Sequence, residues 1–156
     1  MAHGGMPGGS KRKIMIIIQM SGGLGNQMFQ YAAGRALASR LNQPLKLDVS
    51  DFRNYRLHNG FELTRVFTDV MDMATREDMR AVLGWQSAAV VRRILLRPSM
   101  AGWRGAGFIL EPHFHYWPGI NAVPVNAYLI GYWQSEKYFK DFESDIRCRF
   151  AFRFPM

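Results

Sequence analysis

The sequence predicts an α/β fold built on a parallel sheet, and three observations carry that expectation. Residues 14–20 form a continuous apolar, β-branched run of the kind a strand buried on both faces requires. A Gly-rich turn follows at residues 21–27, and a helix rich in small residues leads to a second strand at 45–49. Strand, turn, helix and strand within about 35 residues make a βαβ unit.

The elements follow in order. A flexible, Gly-rich leader occupies residues 1–13 and ends in Lys11, Arg12 and Lys13; residues 14–156 form one domain. The apolar run after the leader is too short to span a bilayer and runs straight into a turn, so neither a membrane anchor nor a signal peptide is expected, and the chain reads as cytoplasmic. The first helix covers residues 27–41, where Ala32, Ala33, Gly34, Ala36 and Ala38 allow close approach to a sheet, and Pro44 closes the connection. Residues 51–63 lack a period and read as a loop. Thr75 and Asp78 have capping-box spacing for a short helix, and residues 86–97 read as another that Pro98 ends. Residues 100–107 are Gly-rich and irregular. Strands are expected at 108–110 and 127–132, and Ser135 is placed to cap a last helix through about residue 144.

Of the 156 residues 48% are hydrophobic, and the net charge is +8, with 15 arginines against five lysines. Such a balance attracts anions: nucleic acid, a phosphorylated ligand, or the acidic inner face of a membrane, to which the chain would be peripherally drawn. No basic helix or nucleic-acid module is present, so nucleic acid is not an expected partner. The single Cys148 has no partner for an internal disulfide.

The segment Gly22-Gly23-Leu24-Gly25-Asn26-Gln27 lies where backbone N–H groups and the positive end of a helix dipole converge, which favours an anion. Glycines permit positive φ and close ligand approach, and Asn26 can either cap the helix or donate its amide to a substrate oxygen. A P-loop is excluded because no lysine lies between Lys13 and Lys46. The dinucleotide fingerprint fits in part, with Gly23, Gly25 and Asp48, but its third glycine falls at Met28. A dinucleotide-binding oxidoreductase fragment and a non-catalytic anion-binding module both stay open at this point.

The run Gly22-Gly23-Leu24-Gly25-Asn26-Gln27-Met28-Phe29-Gln30-Tyr31-Ala32-Ala33-Gly34-Arg35-Ala36-Leu37-Ala38 resembles the N-terminal signature of the family 11 glycosyltransferases, the α-1,2-fucosyltransferases. A second block, Gly131-Tyr132-Trp133-Gln134-Ser135-Glu136-Lys137-Tyr138-Phe139, is similar to another stretch of that family, as are Phe61-Glu62-Leu63 and Ile146-Arg147 with Phe150, all in the expected order. The resemblance implies the Rossmann-like N-terminal lobe of a two-lobed, GT-B type enzyme. It further implies GDP-fucose as donor, a galactoside as acceptor, inversion at the anomeric carbon, and no metal or other cofactor. The family's His-x-Arg-x-Gly-Asp motif, which contacts the donor, is absent. The expectation is therefore a truncated chain whose C-terminal lobe is missing and which is inactive alone.

On this reading Gly22, Gly23, Gly25, Asn26 and Gln27 bind substrate, and Asn26 is the catalytic candidate. Gln134, Ser135 and Lys137 follow a strand and are placed to line the same cleft, unless Ser135 caps a helix and Lys137 is solvated. Arg53, Arg56 and His58 follow the second strand, near the edge where such folds hold ligands. Tyr132, Trp133, Tyr138 and Phe139 either stack on sugar or pack, and packing is the reading preferred. His113 and His115 alternate on an expected strand end and would face one side, but no third ligand accompanies them, so no metal site is assigned.

Overall fold

The computed structural model describes residues 13–54 and 59–154. The leader up to residue 12, and the candidates Arg56 and His58, lie outside the described residues.

Four strands, β1 (Ile16–Gln19), β2 (Leu45–Asp48), β3 (Phe108–Leu110) and β4 (Ala127–Ile130), form one parallel sheet in the order β2-β1-β4-β3. Among the described residues five α-helices accompany them: α1 (Leu24–Arg40), α2 (Leu63–Val66), α3 (Arg76–Leu83), α4 (Ala89–Leu95) and α5 (Glu143–Arg149). The α/β expectation with a Rossmann-like parallel sheet thus stands. Strand alternation divides the core. Ile16, Ile18, Ala127 and Leu129 face α1 with Ala33 and Leu37, whereas Ile17, Tyr128 and Ile130 face Met79, Leu83 and Leu95 of α3 and α4. Both faces are covered, which is why β4 and the first three residues of β1 are apolar and buried.

Helix α1 begins on Gly23, whose extended backbone caps it without a side chain. It ends in a Schellman arrangement: Asn42 takes φ 52°, and the Gln43 and Asn42 N–H groups bond the carbonyls of Ala38 and Ser39. Gly34 sets its distance to the sheet. A Cβ there would lie 3.0 Å from Ile18 and 3.1 Å from Leu45. Close helix-to-sheet contact, which a dinucleotide fingerprint places at the position of Met28, is made two turns later.

Thr75 and Asp78 form the expected capping box on α3. Two expected helices are divided. Residues 86–97 split into a 3-10 turn (Gly84–Ser87) and α4, because Gln86 turns inward to bond the backbone of Trp103 and Gly105, and Ala88 becomes extended. The last helix does not run from Ser135 to 144. Two 3-10 turns, Glu136–Tyr138 and Lys140–Phe142, precede α5, since Phe139 leaves the helical region to pack against Phe29. Among the described residues no helix is long and apolar enough to cross a membrane.

Candidate functional site

In a parallel α/β sheet, ligands gather beyond the C-terminal ends of the strands where the strand order reverses. Here that point lies between β1 and β4, adjacent strands whose chains leave the sheet toward residues 21–23 and 131–134. Both turns are held by one side chain. Gln30 of α1, fully buried, accepts from the Ser21 N–H at 3.0 Å and donates to Ser21 Oγ at 3.0 Å and to the Gly131 carbonyl at 2.9 Å.

Gln27, one turn earlier and equally buried, donates to the carbonyls of Gly22 and Gly60 at 2.9 Å each and accepts from the Glu62 N–H at 2.9 Å. Its amide protons are committed to the backbone, so it shapes the glycine turn from within. Gly22 has φ +75°, and a Cβ on it would lie 2.4 Å from Asn26 Nδ2. Asn26 therefore stands in the first turn of α1 with its amide over Gly22; it is not the helix cap, a place Gly23 holds. Its Oδ1 accepts from Gln134 Nε2 at 2.6 Å. Gly25 is exposed, with open space over its Cα.

Glu111, just after β3, organises the other turn. Its Oε2 accepts from the N–H groups of Tyr132 and Trp133 at 2.8 and 2.9 Å, and the Tyr138 hydroxyl donates to Oε1 at 3.4 Å. Its side chain occupies the place a Cβ on Gly131 would need, 2.4 Å from that position. Trp133 is held at φ 54° and fully buried, its ring edge-on to Tyr138 at 5.4 Å. Burial first, then Glu111, pushes the Tyr138 phenol up in spite of the Trp117 N–H it accepts. Trp133 and Tyr138 thus pack, as does Phe139 against Phe29. Tyr132 is the exception: it is exposed and stacks with exposed Phe114, centroids 6.2 Å apart.

Beside these turns lies a cavity of about 450 Å³ lined by Gln19, Ser21, Glu111, His113, Phe114 and Tyr132 among others. The strand expected to carry His113 and His115 ends at Leu110, so the two do not alternate on it; the His113 Nδ1–H donates instead to the His115 carbonyl at 3.0 Å. Among the described residues no group of three or more His, Cys, Asp or Glu stands together to hold a metal. Ser135 caps the first 3-10 turn by accepting from the Lys137 N–H, and Lys137 lies over the Tyr116 ring at 6.0 Å.

Asp48, which a dinucleotide ribose would need, is 4% exposed. It accepts from the Tyr128 hydroxyl at 2.7 Å and the Ser50 N–H at 3.0 Å, and pairs with Arg92 at 3.5 Å. Burial, then Asp48, drives the Tyr128 phenol upward. Arg92, which reads in sequence as part of an ordinary helix face, is a buried counter-ion.

Gln30 and Glu111 organise the two turns, and neither stands among the site candidates drawn from the sequence. Gln30 carried a signal, a polar side chain three positions after Gln27 inside an otherwise apolar, small-residue stretch; Glu111 carried none beyond its place after a strand.

The chain is similar to the alpha-1,2-colitosyltransferase of Escherichia coli, with 31% identity over 137 residues that cover 85% of this chain and 43% of that protein. It therefore spans less than half the length of the curated relative it matches, and over most of its own length it is related to a glycosyltransferase. No family model matches the chain. No solved structure matches it.

Proposed function

We propose that the chain forms one Rossmann-like lobe of a two-lobed, GT-B type inverting glycosyltransferase. In this reading the enzyme moves fucose, or a closely related deoxyhexose, from a GDP-linked donor to a galactoside, making an α-1,2 linkage. The observation that carries the reading is the Asn26–Gln134 hydrogen bond at 2.6 Å. It joins the two blocks that resemble the α-1,2-fucosyltransferases, more than a hundred residues apart in sequence, at one edge of the sheet. The similarity to an α-1,2-colitosyltransferase lends support, since colitose is fucose without its 3-hydroxyl.

In the reaction the acceptor oxygen bonds to the anomeric carbon as the bond to the diphosphate breaks. The hydroxyl proton passes to a base, and GDP leaves with the bonding electrons. This lobe supplies positioning. Asn26, steadied by Gln134, directs an amide over the glycine turn, and the N–H groups opening α1 have no intrahelical partners and favour developing negative charge. The Tyr132–Phe114 pair offers an apolar platform for a sugar face beside the cavity. Further contacts to the leaving diphosphate would come from the second lobe, and the reaction calls for no metal.

A chimera tests this: residues 13–154 joined to the remainder of the E. coli relative and assayed with GDP-fucose and lactose. Transfer is expected, and Asn26→Ala should lower kcat about a hundredfold, as loss of a positioned donor does, with the unfolding midpoint unchanged. Transfer by that variant within a few-fold of the parent sinks the assignment of Asn26.

A further inference from the structure

A second cavity, of about 470 Å³, opens on the α3 and α4 side of the sheet and shares no lining residue with the first. The two are neighbours, for Gln19, which lines the first, donates to Asp51 at 2.5 Å, next to Ser50 of the second. Buried Asp48 and Arg92 lie 3.5 Å apart within it and compensate each other. The exposed Arg53, Arg76 and Arg80 also line it, and among the described residues none of their three guanidinium groups has an ion-pair or hydrogen-bond partner.

Arg76 and Arg80 stand four residues apart on α3, a spacing at which like charges repel and weaken a short helix. The helix is held by other means, its capping box and the 2.8 Å contact of Asp78 with Lys46. No carboxylate except the already paired Asp48 lines the space, and Ser50 and Ser87 line it as well. Several uncompensated guanidinium forks around a cavity of this size match the oxygens of a phosphate ester, which they bind in bidentate fashion.

The geometry points to a diphosphate-ester site in this cavity, separate from the glycine turn and independent of the transfer reaction proposed above. Two carriers share that chemistry: a nucleoside diphosphate and a lipid diphosphate.

Calorimetric titration of the full chain with inorganic pyrophosphate, GDP and a short prenyl diphosphate tests it. Saturable binding is expected that weakens by about tenfold or more in the double variant Arg76→Gln, Arg80→Gln, as befits loss of charge-assisted contacts, and in Arg53→Gln to a lesser degree. Asn26→Ala should leave it unchanged, and circular dichroism should show the arginine variants folded. The ester whose affinity depends on the arginines identifies the carrier. Absence of saturable binding overturns the site, as does an affinity the double variant does not alter. Arginine-dependent binding of pyrophosphate with neither ester marks an adventitious ion only and overturns it too.

Discussion

Gly22 takes φ +75° and sits so close to Asn26 that a methyl group has nowhere to go. Gly22→Ala should cost about 1–2 kcal/mol from the backbone alone, with more from the displaced amide, and denaturant melts should show it. A melt unchanged from the parent would mean the turn relaxes freely and does not fix Asn26. Gln27 makes a companion case. Gln27→Leu keeps the bulk but leaves three backbone groups, on Gly22, Gly60 and Glu62, without their buried partner. A loss of about 2 kcal/mol or more is expected on that account. Gly25, with open space above it, should tolerate alanine.

At the scale of elements, the attachment of α3 is electrostatic at one end. Burial alone would raise the Asp78 carboxyl, but the Lys46 contact and the Thr75 backbone and hydroxyl bonds outweigh it and hold its pKa down to about 2. A folded pKa below the unfolded one means that the unfolded chain binds the proton more readily. The stabilisation is therefore complete above the ordinary aspartate value of 3.8 and is lost as pH falls toward about 2. Urea midpoints measured from pH 5 to pH 2 should fall in the parent and flatten in Asp78→Asn; equal acid slopes in both would remove this role. At the other end of the chain, Arg149 joins α5 to Asp69 at 3.2 Å and pairs within the helix with Asp145 at 2.9 Å. The Tyr31 hydroxyl also donates to Asp69, and its phenol is pushed upward by burial first and then by that carboxylate. This network fastens α5 beside α1, although the two lie over a hundred residues apart.

For the whole molecule, if the enzyme has two lobes as proposed, the 156-residue chain forms one wall of the cleft and should transfer no fucose by itself. Trp103, Phe114 and Phe154 are each about 70% exposed, and Phe29 and Phe139 border an apolar groove of about 320 Å³ along α1 and α5. Apolar surface of this kind promotes association, and sedimentation velocity should show concentration-dependent self-association of the isolated chain. A monomeric chain with robust turnover would overturn the two-lobed reading.

By itself the sequence determined what depends on local pattern. A continuous β-branched apolar run, a stretch of small residues and the Thr75–Asp78 cap depend on neighbours a few residues away, and they located β1, α1, β2 and α3, although α1 begins at Leu24, three residues before the expected start. The glycine turn was legible for the same reason, because positive φ leaves few choices of residue. Tertiary structure alone decided the rest. Whether Asn26 caps a helix or meets Gln134, whether Asp48 faces a ribose or Tyr128 and Arg92, and whether residues 135–144 form one helix or two 3-10 turns all depend on partners brought from far along the chain. The strand order β2-β1-β4-β3 sets those meetings, and it is chosen by burying both faces of the sheet at once, a condition no local window of sequence contains.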